Sequence, residues 1–416
     1  MNATSTLVVV GGGAAGFFCA VNAARLNPSL KVIIVEKSSK VLSKVKVSGG
    51  GRCNVTHACF EIPELIKRYP RGENFLKKSL HWFNTNNTIQ WFEERGVKLK
   101  TEADGRMFPV TDDSQTIIDC LINEANKYSV EILFNTEVKS IKRIENFFQL
   151  ETTNPKLQTA NFLCIACGGY PKSSQFEWLK NTGHTIEEPV PSLFTFNIPA
   201  NAITSLMGVS VEKAAVKIQS TKLTETGPLL ITHWGLSGPA VLKLSAWGAR
   251  ELSQLQYNFN ININWVPSYN ENSLRQAWQG LRNQFAGQKI SNKNPFGLPN
   301  RLWLYFLELC SINPDLRWAD IAAVLQNKLI KTLTGQVLQV NGKTTFKEEF
   351  VTCGGIKLSE IDANTMQSKI VPHLFFAGEI MNIDGITGGF NFQNAWTSGW
   401  IAAQHIAAIK KENTVE

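Results

Sequence analysis

The clearest pattern in the chain is a short β-rich apolar run, Leu7 to Val10, that passes straight into Gly11-Gly12-Gly13-Ala14-Ala15-Gly16 and then into a helix-like stretch from Phe17 to Leu26. Asn27-Pro28 ends that helix, and Lys31 to Val35 reads as a second strand closing on Glu36. Two further apolar runs, Phe162 to Cys167 and His373 to Ala377, read as buried strands that end on Gly168 and Gly378. A helix is expected from about Ala395 to Lys410. The middle of the chain reads differently. Val209 to Ile218 and Tyr257 to Trp265 alternate apolar with polar positions, as half-buried antiparallel strands do. Leu302 to Leu309 and Trp318 to Leu329 carry helical periodicity, and Val337 to Val340, Asn341-Gly342 and Thr344 to Phe346 predict a hairpin. Trp82, Trp91 and Phe92 recur at helical spacing and are expected to pack in a core.

The first strand, glycine run and helix have the Gly-x-Gly-x-x-Gly spacing in the context that gives it meaning. Gly11 permits the tight turn, Gly13 lets a pyrophosphate approach the backbone, and Gly16 lets helix pack close to strand. The helix start, with Ala14 and Ala15, then faces the phosphates with its partial positive charge. Glu36 lies twenty positions beyond Gly16, where a carboxylate can accept both hydroxyls of an adenosine ribose.

That fingerprint does not separate FAD from NAD, because both present an adenosine diphosphate. A flavin needs further backbone contacts far from its adenine, and two segments supply them. Ser48-Gly49-Gly50-Gly51-Arg52-Cys53-Asn54 suits a loop lying against a flat ligand, with Arg52 and Asn54 as directional donors. Gly378-Glu379 follows a strand at its carboxyl end, where ligands of parallel sheets sit. Asp384 through Gly389, Asn391, Phe392 and Gln393 then lead into the last helix, whose start suits the negative charge a reduced flavin carries. Lys37, Lys44, Ser48, Gly50, Gly51, Cys53, Val138, Cys167 and Gly168 complete the candidate cofactor contacts. A packing role suits Cys53 better than a flavin contact.

Composition narrows the class. A chain of 416 residues implies two or three domains. No apolar stretch reaches the roughly 20 residues that span a bilayer. Eight cysteines without a signal-like N-terminus favour reduced thiols and the cytoplasm. Cys164 and Cys167 form a Cys-x-x-Cys, but within a buried strand rather than at a helix start. The net charge of +8 is spread along the chain, which argues for a solvated basic surface over a nucleic-acid partner. No His, Cys, Asp and Glu spacing suggests a metal.

Together these segments resemble the BaiN-like, aminoacetone-oxidase-like family of FAD-binding flavoproteins. They are joined by Thr232-His233-Trp234-Gly235-Leu236-Ser237-Gly238-Pro239-Ala240 and by Gly388-Gly389-Phe390-Asn391-Phe392-Gln393-Asn394-Ala395. The resemblance implies an α/β fold of glutathione-reductase type. A Rossmann-like FAD-binding domain is assembled from both chain ends (1–190 and 346–416), with an inserted antiparallel β domain (191–268 and 334–345) and a small helical cap (269–333). It also implies that substrate enters between insert and dinucleotide domain. There His233 is the candidate catalytic residue, for proton transfer or substrate orientation, with a structural role for it equally open. The loop after Gly169 is shorter than is usual in the family, so substrate and nicotinamide preferences of relatives do not transfer directly. The expected activity is flavin-mediated hydride transfer on a small organic substrate, with NADH, NADPH or oxygen as redox partner. A flavin-dependent tRNA-modifying enzyme and a non-catalytic redox sensor are the alternatives.

Overall fold

The computed structural model describes residues 5–345 and 351–409. The chain divides into two compact units, one of Met1–Ser192 with Lys347–Glu416 and one of Leu193–Phe346.

The first unit is built on a five-stranded parallel sheet, in the order Leu374–Phe376, Phe162–Ile165, Thr6–Val10, Lys31–Val35, Glu131–Leu133. Its central strands are nearly continuous apolar runs because helices cover both faces of such a sheet. Leu7, Val8 and Val9 are fully buried, and Val8 pairs with Ile33 on one side and Leu163 on the other. Helix Ala14–Leu26 and helix Phe390–Ala408 pack closely at Gly399, where an added Cβ would lie 2.7 Å from the Ala15 carbonyl. Around them the rings of Phe18, Trp91, Phe92 and Trp396 form one cluster, with Phe18 and Trp91 centroids 4.5 Å apart. Trp82 is not part of it: it is 55% exposed, and its indole donates to Asn364. Strands Ile186–Ser192 and Val351–Ile356 pair antiparallel where the chain leaves and re-enters this unit.

The second unit carries a seven-stranded antiparallel sheet in the order Gln336–Asn341, Asn258–Asn264, Ser210–Ile218, Thr224–Ile231, Gly235–Ser237, Thr195–Asn197, Lys343–Thr344. The alternation at Val209 to Ile218 and Tyr257 to Trp265 thus appears as two paired strands, with Ile218 opposite Ile261. Helices Glu271–Gln284, Asn300–Leu309 and Ala323–Gly335 bury Trp278, Trp303 and Leu329 in the same core as the inner face of the sheet. Helix and strand residues here share one core. The expected hairpin at Asn341-Gly342 does not form. Gln336–Asn341 pairs with Asn258–Asn264, whereas Lys343–Thr344 pairs with Thr195–Phe196. Gly342, at φ +96°, joins the two edge strands, so the sheet curls toward closure and pairing goes to its neighbours instead. Phe346, the far end of that hairpin, and Lys410, the far end of the last helix, lie outside the described residues. Trp318 to Leu329 is likewise not one helix: a short 3-10 turn at Trp318–Asp320 precedes helix Ala323–Gly335. Among the described residues, no helix is long and apolar enough to cross a membrane.

Candidate functional site

The glycines after the first strand divide into those the protein itself requires and one it does not. A Cβ on Gly11 (φ +112°) would lie 2.5 Å from the Ala166 carbonyl, and one on Gly16 would lie 2.0 Å from the Gly11 carbonyl. Both positions exclude any side chain. At Gly13, a Cβ would meet nothing within 4 Å, so the backbone there faces open space beside a helix N-terminus. Phosphate is the group such a surface accommodates. The Gly12 amide donates to Glu36 Oε2 at 2.9 Å, and Ser38 donates through N–H and hydroxyl to Oε1, both at 2.9 Å. The carboxylate is therefore oriented at the tip of the second strand, beside the glycine loop. Lys37 is exposed above the ring of Tyr170 (5.8 Å). Val138 is buried two residues past Thr136, whose N–H bonds to the Glu36 carbonyl at 2.9 Å.

The second glycine run adopts a conformation that only glycine takes at low cost. Gly49, Gly50 and Gly51 have φ of +59°, +70° and +85°. Cβ atoms on Gly50 and Gly51 would meet nothing within 4 Å, which leaves a second open stretch of backbone. Ser48 anchors the turn by accepting the Cys53 N–H at its carbonyl (2.9 Å). Arg52 turns the other way: its guanidinium binds Glu102 (2.5 Å) and lies 4.0 Å from the Phe108 ring centroid. Burial pushes the Cys53 thiol up to about 12, so it is a neutral packing group.

The third segment converges on the same place. A Cβ on Gly378 (φ +76°) would lie 2.8 Å from Ala15 Cβ, so this turn abuts the first helix. Glu379 accepts from Lys44 Nζ (2.7 Å) and from the Thr352 N–H (2.9 Å), and Gly168 and Gly169 pass against its carboxylate. Cys167 sits beside Gly11, and burial pushes its thiol up to about 11. The first and third segments thus meet at the carboxyl ends of the parallel strands, and Lys44, at the start of the helix that carries the second glycine run, reaches the same place.

Further along, Gly389 is wedged under Thr56, where an added Cβ would lie 2.6 Å from the carbonyl. The Asn54 amide accepts from the Gly389 N–H (3.0 Å) and donates to Thr56 (2.9 Å). His57 Nδ1 lies 3.0 Å from the Gly388 carbonyl, and its ring stacks on Phe390. Tyr69 donates to the Phe390 carbonyl (2.8 Å). The Asn391 side chain closes its own loop on Gly385 through two hydrogen bonds (2.8 and 3.1 Å). Gln393 is buried, accepting from Thr56 and Thr88 and donating to Thr397. Phe392 stacks on Trp396. The amides of Asn391 and Gln393 are therefore committed to the fold. The first-turn N–H groups of helix Phe390–Ala408, which have no partner earlier in the helix, are what remains to meet a ligand.

Asp384 is fully buried, paired with Arg71 and accepting from Ser192 (2.8 Å). Burial pushes its carboxyl above the usual range, with Arg71 and Ser192 opposing. Arg71, Ser192, His57 and Tyr69 carry no local motif; only the fold brings them here. His233 lies in the second unit, on an exposed turn with its ring against Trp234.

A dinucleotide fits these residues. Gly13, Gly50 and Gly51 leave backbone open, and Thr352 Oγ1 and Asn394 Oδ1 are among the buried atoms of this unit that have no hydrogen-bond partner. Glu36 and the open backbone at Gly13, Gly50 and Gly51 are the groups that would hold FAD.

Comparison with known proteins agrees with this reading. The family described as the HI0933-like protein Rossmann domain matches residues 5–405. A ribosomal RNA dihydrouridine synthase of Escherichia coli is 32% identical over 97% of this chain and 98% of its own. A 3-dehydro-bile acid delta(4,6)-reductase of Clostridium scindens is 24% identical over 96% of this chain and 98% of its own. In fold, the chain is similar to the 3-ketosteroid delta1-dehydrogenase of Sterolibacterium denitrificans, with a TM-score of 0.51, 13% identity, and 98% and 100% of the two chains covered. With the family model spanning nearly its whole length, the chain belongs to the HI0933-like FAD-binding Rossmann family and is an FAD-dependent oxidoreductase.

Proposed function

We propose that the protein reduces a carbon–carbon double bond conjugated to a carbonyl, and that its substrate is a uracil base of ribosomal RNA, which leaves as dihydrouridine. The observation that carries this reading is a chemical step common to two relatives with different names. Dihydrouridine arises from uridine by addition of two hydrogens across C5=C6, which is conjugated to the C4 carbonyl. A delta(4,6)-reductase of a 3-dehydro bile acid acts on double bonds conjugated to the 3-oxo group. In both, hydride adds to an electron-poor end of the conjugated system, the carbon β to the carbonyl or, for the 6-ene of a 4,6-dienone, the vinylogous δ carbon, and a proton completes the saturation at the neighbouring carbon. NADH or NADPH with one proton balances the reaction, giving the oxidised nicotinamide.

FAD supplies the two-electron carrier between nicotinamide and base. The chain's own residues hold it and set its surroundings. Glu36 and the Gly13 backbone suit the adenosine diphosphate end, and the N-terminus of helix Phe390–Ala408 offers N–H groups and a positive dipole to negative charge at the other. His57, Tyr69 and Asn54 keep that helix start in register.

The net charge of +8 suits a polyanionic substrate, and the relative at 32% identity favours RNA over a steroid. The second reading, a small unsaturated carbonyl compound, is supported by the bile-acid relative, which covers the chain almost as fully. Deleting the gene in its host and mapping dihydrouridine in ribosomal RNA by mass spectrometry tests the choice. Loss of one or more dihydrouridines, restored by the wild-type gene, supports the RNA substrate. An unchanged dihydrouridine map overturns it in favour of the small molecule.

A further inference from the structure

The positive charge of this chain is concentrated in one place. Residues 193–346 hold 14 Lys and Arg against 7 Asp and Glu, a net +7, while all other residues hold 28 against 27, a net +1; together these give the +8 of the chain. The flavin-holding unit is thus close to neutral, and the inserted unit is the basic one.

The insert also breaks a local rule. Its strand Asn258–Asn264 alternates Asn with Phe259, Ile261 and Ile263, which lie in the core. The apolar half needs no explanation. Asparagine, however, is depleted in strands, where Thr, Lys or Tyr on the outer face would serve stability better, by up to about 1 kcal/mol on the full scale of β propensity. Departures of this kind are expected where function imposes them. The register extends the amide row sideways: Asn258 stands opposite Asn341, Asn260 opposite Gln339, and Asn262 lies between Val337 and Lys217. Lys217 in turn stands opposite Thr224. Asn258, Asn260, Lys217, Gln339 and Asn341 are exposed, Lys213 follows on the same strand as Lys217, and Val337 is 52% exposed. No carboxylate is among these register partners. Among the described residues, the amides of Asn258, Asn260, Gln339 and Asn341 make no side-chain hydrogen bond.

A sheet face with amide donors and acceptors in register, cations at one side and a single acid, Glu212 beside Lys213, is complementary to one class of partner. Amides read the hydrogen-bonding edges of bases, lysines take phosphates, and carboxylates would repel the backbone. We infer that the outer face formed by Gln336–Asn341, Asn258–Asn264 and Ser210–Ile218 binds a single-stranded segment of the RNA substrate, so that the insert captures RNA for the flavin unit. This rests on the RNA reading above and adds to it the surface that does the binding.

The test uses full-length holoenzyme and fluorescein-labelled fragments of protein-free ribosomal RNA, with anisotropy followed over a salt titration. Lys213→Gln with Lys217→Gln should lower the slope of log affinity against log salt by about 1.4, the value for two phosphate contacts on a single strand. Asn258→Thr, Asn260→Thr and Gln339→Thr together should weaken binding about tenfold or more with the slope kept, the size of one or two lost base-edge contacts. Threonine suits an exposed strand position, so these variants keep their fold, which unchanged flavin content and melting temperature verify. Lys98→Gln with Lys139→Gln, exposed cations of the flavin unit, should leave affinity as in wild type. Wild-type binding that both insert variants retain overturns the assignment of this face while leaving the RNA reading intact. No binding by the wild type at low salt overturns the RNA reading itself, and this surface with it.

Discussion

Gly13 and Gly16 are three residues apart in one fingerprint, yet alanine at the two should fail for different reasons. A Cβ at Gly16 would lie 2.0 Å from the Gly11 carbonyl and 3.2 Å from its carbon, both backbone atoms that cannot rotate away. Relief needs the strand and helix to separate, and overpacking of this kind costs about 1–3 kcal/mol or more. For a unit of this size that is a fall of roughly 2–4 °C per kcal/mol in melting temperature, in the apoprotein as well as the holoprotein. At Gly13 a Cβ meets no protein atom within 4 Å, and φ is −93°, which alanine adopts freely. The less favourable alanine N-cap and the less flexible unfolded chain roughly cancel, so apoprotein stability should move by no more than about 1 kcal/mol. The methyl group instead occupies the space assigned to pyrophosphate. A loss of about 10- to 100-fold in FAD affinity, or about 1.4–2.8 kcal/mol, is expected. Thermal melts of both apoproteins and FAD titrations followed by flavin fluorescence separate the two effects. Gly13→Ala binding FAD as tightly as wild type would refute the placement of the phosphates, however the Gly16 variant behaves.

Asp384→Leu removes the carboxylate that faces Arg71 in a buried setting and should cost about 3–5 kcal/mol in denaturant unfolding, whereas Arg71→Met with Asp384→Leu should recover much of it. An additive double variant would show that the pair is not coupled. His184 is buried between Thr182 and Ser368, and burial lowers its pKa below the ordinary 6.5, so its neutral form is favoured in the folded state. Its contribution is full above about pH 6.5 and is lost as pH falls below that value toward the folded pKa; His184→Gln should flatten the melting temperature over this window. Buried Cys53 and half-buried Cys167, raised by desolvation to about 12 and 11, should resist iodoacetamide at pH 8 in the native protein, and rapid alkylation of either would contradict that desolvation.

The nucleotide-binding elements are legible because their chemistry is local. Strand, glycine turn, helix and Glu36 follow one another within thirty-odd residues, and each constraint acts on its neighbours in sequence. What joins Asn54 to Gly389, or Arg71 to Asp384, is contact across some three hundred residues, for which no spacing gives a signal. Arg52 illustrates the same limit. A guanidinium beside three glycines suggests a ligand donor, but Glu102 and Asp112 arrive from loops fifty and sixty residues on. The Asn341-Gly342 turn has hairpin composition, and sheet closure decides its pairing instead. The concentration of charge in the insert was present in the sequence throughout, and it becomes visible once the chain is divided by fold rather than averaged along its length.

The most direct test of the account is a single anaerobic experiment on purified holoenzyme. Its flavin is first bleached with one equivalent of NADH or NADPH, and ribosomal RNA from the gene-deleted host is then added. The oxidised flavin spectrum should return, together with one dihydrouridine formed per flavin reoxidised. A flavin that stays reduced in the presence of that RNA, while a 3-oxo unsaturated steroid reoxidises it, would contradict the RNA substrate; one that no conjugated carbonyl compound reoxidises would contradict the reaction itself.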